Sequence, residues 1–153
     1  RIPGLDGNAK MSKSLGNTIY LSDDEDTLRK KVMSIYTDPD HIHVDDPGKI
    51  EGNIVFTYLD IFDKDKEKVQ ELKEHYSHGG LGDVEIKNYL FNVLDEELAP
   101  IRKRRAEFAK DIPAIYEMLH KGSIKANEVA AQTLHEVKEA MGINYFDKDK
   151  ITE

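Results

Sequence analysis

Apolar side chains recur at steps of three and four residues along most of this chain, which is the spacing of an amphipathic helix. The longest pattern begins at Asp83 and includes Ile101 and Phe108, which are therefore predicted to be buried. Pro100 lies inside it and is expected to kink the helix without ending the pattern. No set of alternating residues predicts a sheet. The chain is predicted to be all-α, a helical bundle of about five or six helices with an N-terminal Gly-rich loop.

Helix boundaries are predicted from capping residues and glycines. Ser22, with Glu25 three positions later, matches a capping box and predicts a helix that ends near Thr37. Gly122 is predicted to end one helix, and a last helix is predicted over residues 126–141. The other predicted N-caps are Asn53, Asp65 and Asp111.

Turn residues divide the chain into three predicted parts. Glycines, prolines and asparagines cluster in residues 1–22, which are predicted to form a loop arm. Residues 23–146 are predicted to form the helical domain, and residues 147–153 a charged tail. The chain begins at Arg1 and not at methionine, so we expect it to be part of a longer protein.

Composition excludes several classes of protein. The chain has 153 residues, a net charge of −8 and no cysteine, which excludes disulfides, thiol catalysis and cysteine-bound metals. No apolar run approaches the ~20 residues that span a bilayer. The acidic total hides two basic segments, residues 1–22 with a net charge of +2 and residues 101–125 with +4. An anionic partner is therefore expected at these two segments.

The segment that best indicates chemistry is Lys10-Met11-Ser12-Lys13-Ser14. Two lysines three positions apart alternate with hydroxyls on a loop flanked by glycines. Mobile ammonium groups and loop N–H donors suit a polyphosphate. On charge and glycine content alone, a solvated linker is the alternative interpretation.

The string from Lys10 to Ser14 is identical to the KMSKS signature loop of the class I aminoacyl-tRNA synthetases, and the chain resembles the tryptophanyl subgroup over nearly its whole length. The tyrosyl enzymes share the loop and stay an alternative. The match is to the C-terminal part of such an enzyme, starting just before the loop, and lacks the Rossmann-like catalytic domain. The further matching pieces are Leu15-Gly16-Asn17, Val32-Met33-Ser34-Ile35-Tyr36-Thr37-Asp38-Pro39, Gly52-Asn53-Ile54, Pro100-Ile101-Arg102, and Gly122 with Lys125-Ala126-Asn127 and Ala140-Met141-Gly142.

This resemblance implies a ligase that activates tryptophan with ATP and Mg²⁺ and transfers it to tRNA. All five residues of the loop would bind ATP. Lys13 would be the main catalytic group and Lys10 the second, both on the phosphates of ATP and the leaving pyrophosphate. Ser12 and Ser14 would hydrogen-bond phosphate or hold the loop, and Met11 would pack near the adenine.

The resemblance also implies partners for the rest of the chain. The helical domain would contact the anticodon region of tRNA, although its basic residues could equally form a solvated helix face. The intact enzyme would be a cytoplasmic homodimer. Because the HIGH-like motif and the amino-acid pocket are absent from this sequence, we expect the isolated 153-residue chain to be inactive and to bind no cofactor by itself. The residues expected to contact tRNA are Arg102, Lys103, Arg104, Arg105, Lys110 and Lys125.

The histidines predict no metal site. The pairs His41 with His43 and His75 with His78 lack an obvious third ligand. A helical interaction module without catalysis, carrying a lysine-containing arm, is the rival to the enzyme.

Overall fold

The computed structural model describes residues 2–7 and 10–145 and confirms the all-α prediction. Within these residues the only strand-like pairing is a single antiparallel bridge between Pro3 and Lys10. One short 3-10 turn, Lys13–Leu15, precedes the helices. The helices are α1 (Glu25–Met33), α2 (Ile54–Phe62), α3 (Lys66–His78), α4 (Asp83–Phe108) and α5 (Ile112–Ala140).

The chain divides into two compact units, Arg1–Ala106 and Glu107–Glu153. The core lies in the first unit, where α2 is buried on nearly all sides and packs against α3. The predicted domain boundary at residue 22 stays a prediction, and the predicted tail, 147–153, lies outside the described residues. The core side chains include Leu28, Val32, Ile54, Val55, Phe56, Leu59, Val69, Ile86, Leu90 and Leu94.

Three of the predicted N-caps are confirmed. The side chain of Asn53 accepts a hydrogen bond from the N–H of Val55, and α2 begins at the next residue. Asp65 and Asp111 cap α3 and α5 in the same way. Each side-chain oxygen satisfies one of the N–H groups that the first helical turn leaves without a partner.

The capping box predicted at Ser22 is wrong. Asp24 is the N-cap of α1, and its carboxylate accepts the N–H of Thr27 at 2.8 Å. This bond holds the pKa of the Asp24 carboxyl below its ordinary value, because it stabilises the charged form. The helix ends at Met33, four residues before the predicted end.

The two helices predicted on either side of Gly122 are one helix. α5 runs through this glycine without interruption, and nothing lies within 4 Å of where its side chain would project. A single glycine costs a helix only about 1 kcal/mol relative to alanine, which a long helix tolerates. Ile101 and Phe108, predicted to be buried, are 39% and 61% exposed, because the buried face of α4 ends at Leu98.

Tyr76 holds the long loop of residues 38–52 against the helices. Its ring packs edge-on against Phe56, with ring centroids 5.2 Å apart, and its backbone carbonyl accepts the N–H of Gly48 at 2.9 Å. Its hydroxyl donates to the carboxylate of Asp83 at 2.9 Å. A side chain at Gly48 would lie 2.1 Å from the Tyr76 ring, so this close approach requires glycine.

Candidate functional site

The two lysines predicted to bind phosphate lie on a tight surface loop. The backbone is extended at Ser12, forms the 3-10 turn Lys13–Leu15, and leaves it through Gly16. Gly16 has φ +69°, a left-handed conformation that glycine adopts without steric cost. The N–H of Gly16 donates back to the carbonyl of Lys13 at 3.3 Å, which closes the turn.

The segment that precedes the loop connects it to α2, within the first unit. The N–H of Met11 donates to the carbonyl of Ile2 at 3.2 Å, beside the bridge between Pro3 and Lys10. The hydroxyl of Tyr58 in α2 donates to the carbonyl of Pro3 at 2.6 Å. Burial raises the pKa of the Tyr58 hydroxyl, so this donor keeps its proton.

The cationic groups of the loop face solvent. Lys10, Lys13 and Ser14 are exposed, and in the described part of the chain neither ammonium has a hydrogen bond or ion pair. The hydroxyls of Ser12 and Ser14 lie 2.9 Å apart and share a hydrogen bond. Two unpaired cations on a fixed backbone are an arrangement that can bind an anionic group.

Met11 lies on the opposite side of the loop. Its side chain is half-buried and packs against the hydrophobic core of the first unit. The family resemblance implies a place near the adenine of ATP, and that role stays a prediction. In this structure the contact holds the loop against the core.

Asn17 organises the base of the loop, a role that the sequence analysis did not assign to it. It is 5% exposed, and its Oδ1 accepts the N–H of Ser12 at 2.8 Å. Its Nδ2 donates to the Asp6 carboxylate at 3.1 Å and to the Lys10 carbonyl at 3.4 Å. The sequence indicated a Gly-Asn turn and a match to the family at this position, but not these hydrogen bonds, because the partners lie five to eleven positions away.

A second missed contact holds the segment that leaves the loop. Lys31 of α1 donates to the carboxylate of Asp23 at 2.6 Å and to the carbonyl of Thr18 at 2.9 Å. Its ammonium also lies 4.2 Å from the centre of the Tyr20 ring. The same oxygen of Asp23 accepts the N–H of Tyr20 at 2.8 Å. Asp23 therefore supports the segment after the loop, and its neighbour Asp24 caps α1.

The predicted tRNA-contacting residues fall into three groups. Arg102 is half-buried and paired with Asp95 on its own helix, so its charge already has a partner. Lys103, Arg104 and Arg105 are exposed, and none of them has an ion pair among residues 2–7 and 10–145. Lys110 and Lys125 are also exposed, and both belong to the second unit.

The histidines form no metal site in the part of the chain that the structure describes, where no three acidic or histidine side chains converge. His41 is buried and packs edge-on against Tyr76, with ring centroids 4.6 Å apart. His78 bonds to the backbone carbonyl of Glu74. In the same described ranges no helix combines the length and apolar composition of a membrane span.

Comparison with known proteins identifies the family of the chain. Residues 1–99, which include the lysine loop, match the model of the class I tRNA synthetases (W and Y). The chain is 66% identical over 148 residues to a tryptophan–tRNA ligase of Streptococcus pyogenes serotype M3, a match that covers 95% of this chain and 44% of the relative. A tryptophan–tRNA ligase of Lactococcus lactis is 67% identical, with 95% of this chain and 43% of the relative covered.

A solved structure shares the fold. The tryptophanyl-tRNA synthetase of Campylobacter jejuni, complexed with ADP and tryptophan, superposes with a TM-score of 0.77 at 31% identity, covering 92% of this chain and 43% of that one. The chain thus spans less than half the length of the relatives it matches. The family model covers well over half of the chain itself, including the loop. The chain therefore belongs to the class I tRNA synthetases of the tryptophan and tyrosine group.

Proposed function

We propose that this chain is the loop-bearing and helical part of a tryptophan–tRNA ligase, which joins tryptophan to AMP and then transfers it to tRNA. The observation that carries the proposal is the loop held by Asn17, on which Lys10 and Lys13 are exposed and have no ion pair with any residue that the structure describes. The names of the similar proteins support tryptophan as the amino acid.

The loop would act on the charge that develops during amino-acid activation. As pyrophosphate leaves, negative charge grows on its oxygens, and an ammonium held against them stabilises the transition state more than it stabilises bound ATP. Lys13, at the start of the 3-10 turn, is proposed for this role, and Lys10 binds the same phosphates from the other side of Ser12. The hydroxyls of Ser12 and Ser14 add donors beside them.

Mg²⁺ is proposed to reach the site with ATP. The described residues bring no three metal-ligating side chains together, so no residue of this chain is proposed as a ligand of the ion. The phosphate oxygens suit Mg²⁺, which prefers oxygen ligands and keeps several waters. Its contribution is to neutralise phosphate charge alongside the lysines.

The end of α4 is proposed to contact tRNA. Lys103, Arg104 and Arg105 present three unpaired charges on consecutive residues, and such cations bind the phosphate backbone with release of counterions. Arg102 is less suited, because binding tRNA would compete with its ion pair to Asp95. Lys110 and Lys125 stay candidates.

The whole enzyme requires more than this chain. Tryptophan would bind to a catalytic domain outside it, so the isolated 153-residue chain is proposed to be inactive. The homodimer and the cytoplasmic location stay predictions.

ATP–pyrophosphate exchange by the full-length protein tests the activity. We expect exchange with tryptophan and not with tyrosine. Lys13→Ala should lower kcat by about 100-fold or more and change the KM for ATP much less, because the lysine acts in the transition state. Lys30→Ala, an exposed lysine of α1, is the matched control and should retain full activity. Exchange with tyrosine would reassign the substrate, and exchange with neither would overturn the proposal.

Aminoacylation tests the tRNA contact separately. Arg104→Ala combined with Arg105→Ala should raise the KM for tRNA and flatten its dependence on salt, while pyrophosphate exchange without tRNA stays unchanged. Lys68→Ala on α3 is the control, because that lysine is also exposed but pairs with Glu71. An unchanged KM and salt dependence in the double variant would remove these arginines from the interface.

A further inference from the structure

We propose that Asn17 is the positioning residue of the lysine loop, a role that rests on the proposed activation of the amino acid. It does not touch substrate in this assignment. Its amide holds the backbone on both sides of Met11, and thereby determines where the ammonium groups of Lys10 and Lys13 can reach. The lysines carry the charge, and Asn17 fixes the backbone from which their side chains extend.

The hydrogen bonds of Asn17 define this role. Its Oδ1 accepts the N–H of Ser12, the residue just before the 3-10 turn, at 2.8 Å. Its Nδ2 donates to the carbonyl of Lys10 at 3.4 Å. One planar amide therefore connects the backbones that carry the two lysines. A planar group with an acceptor on one side and donors on the other restrains both segments at once.

A third contact joins the loop to the segment before it. Nδ2 of Asn17 also donates to Oδ1 of Asp6 at 3.1 Å, and the Asn17 carbonyl accepts the N–H of Leu5 at 3.0 Å. Leu5 is buried in the core of the first unit. Asn17 thus connects the exposed turn to the hydrophobic core through Leu5.

The surroundings of Asn17 are shaped for an amide. A Cβ at Gly4 would lie 2.1 Å from Asn17 Nδ2 and 2.8 Å from Asp6 Oδ1, so glycine leaves the space that the amide fills. A carboxylate at position 17 would place an oxygen opposite the Asp6 carboxylate and the Lys10 carbonyl. Both would repel it. The site therefore distinguishes asparagine from aspartate, two side chains of the same shape.

The consequence for catalysis is specific. Lysines that act only in the transition state are sensitive to small displacements, and a shift of ~1 Å can cost about 100-fold in rate. Loss of the Asn17 amide should therefore lower kcat while leaving the binding of tryptophan, whose pocket is proposed to lie outside this chain, unchanged.

The test is pyrophosphate exchange by the full-length protein with Asn17→Asp, Asp6→Asn, and both changes together. Asn17→Asp should lower kcat by about 10- to 100-fold with an unchanged KM for tryptophan. Asp6→Asn alone should have a small effect, because asparagine still offers an oxygen to Asn17. In the double variant the donor and acceptor between positions 6 and 17 exchange places, so kcat should rise above that of Asn17→Asp but stay below the wild type, because the Lys10 carbonyl still faces the new carboxylate. Asn92→Asp, on the exposed side of α4, is the control and should match the wild type.

A second measurement reports on the loop without catalysis. Trypsin cuts after lysine, and a loosened loop should be cut faster after Lys10 and Lys13 in Asn17→Asp than in the wild type and the Asn92 control, at unchanged thermal midpoint. Rescue of both kcat and the cutting rate in the double variant supports the proposal. Wild-type kcat in Asn17→Asp, or an equal loss in the double variant, overturns it. Absence of exchange in the wild-type protein would instead refute the proposed function.

Discussion

Lys31 offers a direct measure of how strongly the segment after the loop is held. Replacing it with methionine keeps much of the apolar stem and removes the ammonium. The change breaks the 2.6 Å bond to Asp23, the 2.9 Å bond to the Thr18 carbonyl and the contact with the Tyr20 ring. The Asp23 side chain is 8% exposed, so its carboxylate is left with little water and one remaining donor, the N–H of Tyr20.

The expected loss in the free energy of unfolding follows from these contacts. A hydrogen bond between charged groups contributes about 1.5–3 kcal/mol. An ammonium on an aromatic ring adds about 0.5–1 kcal/mol at a partly exposed site. The Lys31 side chain is 21% exposed, so water already competes for its ammonium, and we take the lower half of the sum. Lys31→Met should therefore cost about 2–3 kcal/mol.

Urea unfolding of the chain, followed by the far-UV circular dichroism of its helices, measures this cost. Asp23→Asn completes a double-mutant cycle, in which the two losses together should exceed the loss in the double variant by about 1–2 kcal/mol. Lys30→Met, at the preceding residue, is the matched control, and its free energy of unfolding should stay within about 0.5 kcal/mol of that of the wild type. A cost for Lys31→Met no larger than that of the control would refute the argument.

Three further outcomes are expected. Gly79 has φ +85°, and a side chain there would lie 2.2 Å from a backbone carbonyl oxygen, whereas Gly52 has φ +80° and nothing within 4 Å. Gly79→Ala should therefore destabilise the chain by at least about 1 kcal/mol more than Gly52→Ala in urea unfolding. Gly122→Ala should stabilise α5 by up to about 1 kcal/mol, seen as greater helicity at the same temperature, and reduced helicity would contradict an uninterrupted helix. Burial raises the pKa of Tyr89 to about 12, so the folded form keeps a proton that the unfolded chain loses near pH 10, and stability should fall as pH rises between these values. The fall in the urea midpoint should be shallower in Tyr89→Phe, and equal slopes would contradict this cause.

The helix starts that could be predicted are those determined by neighbouring residues. Asn53, Asp65 and Asp111 each cap a helix through an N–H two or three positions away, so local spacing was sufficient. At the start of α1 the sequence predicted Ser22 as the cap, but the cap is Asp24. Asp23, which lies between the two, pairs with Lys31, and the chain becomes helical only after it.

The sequence predicted which residues of the candidate site carry positive charge, but not which residue holds the loop in place. Lys10 and Lys13 were predicted because their string resembles a family signature, since residue type and spacing alone also fit a solvated linker; both side chains are exposed. The amide of Asn17 joins residues 6, 10 and 12, and no helical or strand period relates these positions. Contacts of this kind depend on the path of the folded backbone, which the sequence pattern does not describe.

The contacts of Tyr76 with the loop of residues 38–52 affect amide hydrogen exchange in that loop. The N–H of Gly48 is bonded to the Tyr76 carbonyl, and the N–H of Gly80, just beyond the end of α3, is bonded to the carbonyl of Val44 at 2.6 Å. Both amides lie outside any helix, and each can exchange only after its hydrogen bond between the loop and the end of α3 has broken. Their deuterium uptake should thus follow one shared opening step, and a segment without regular secondary structure should exchange as a single cooperative unit.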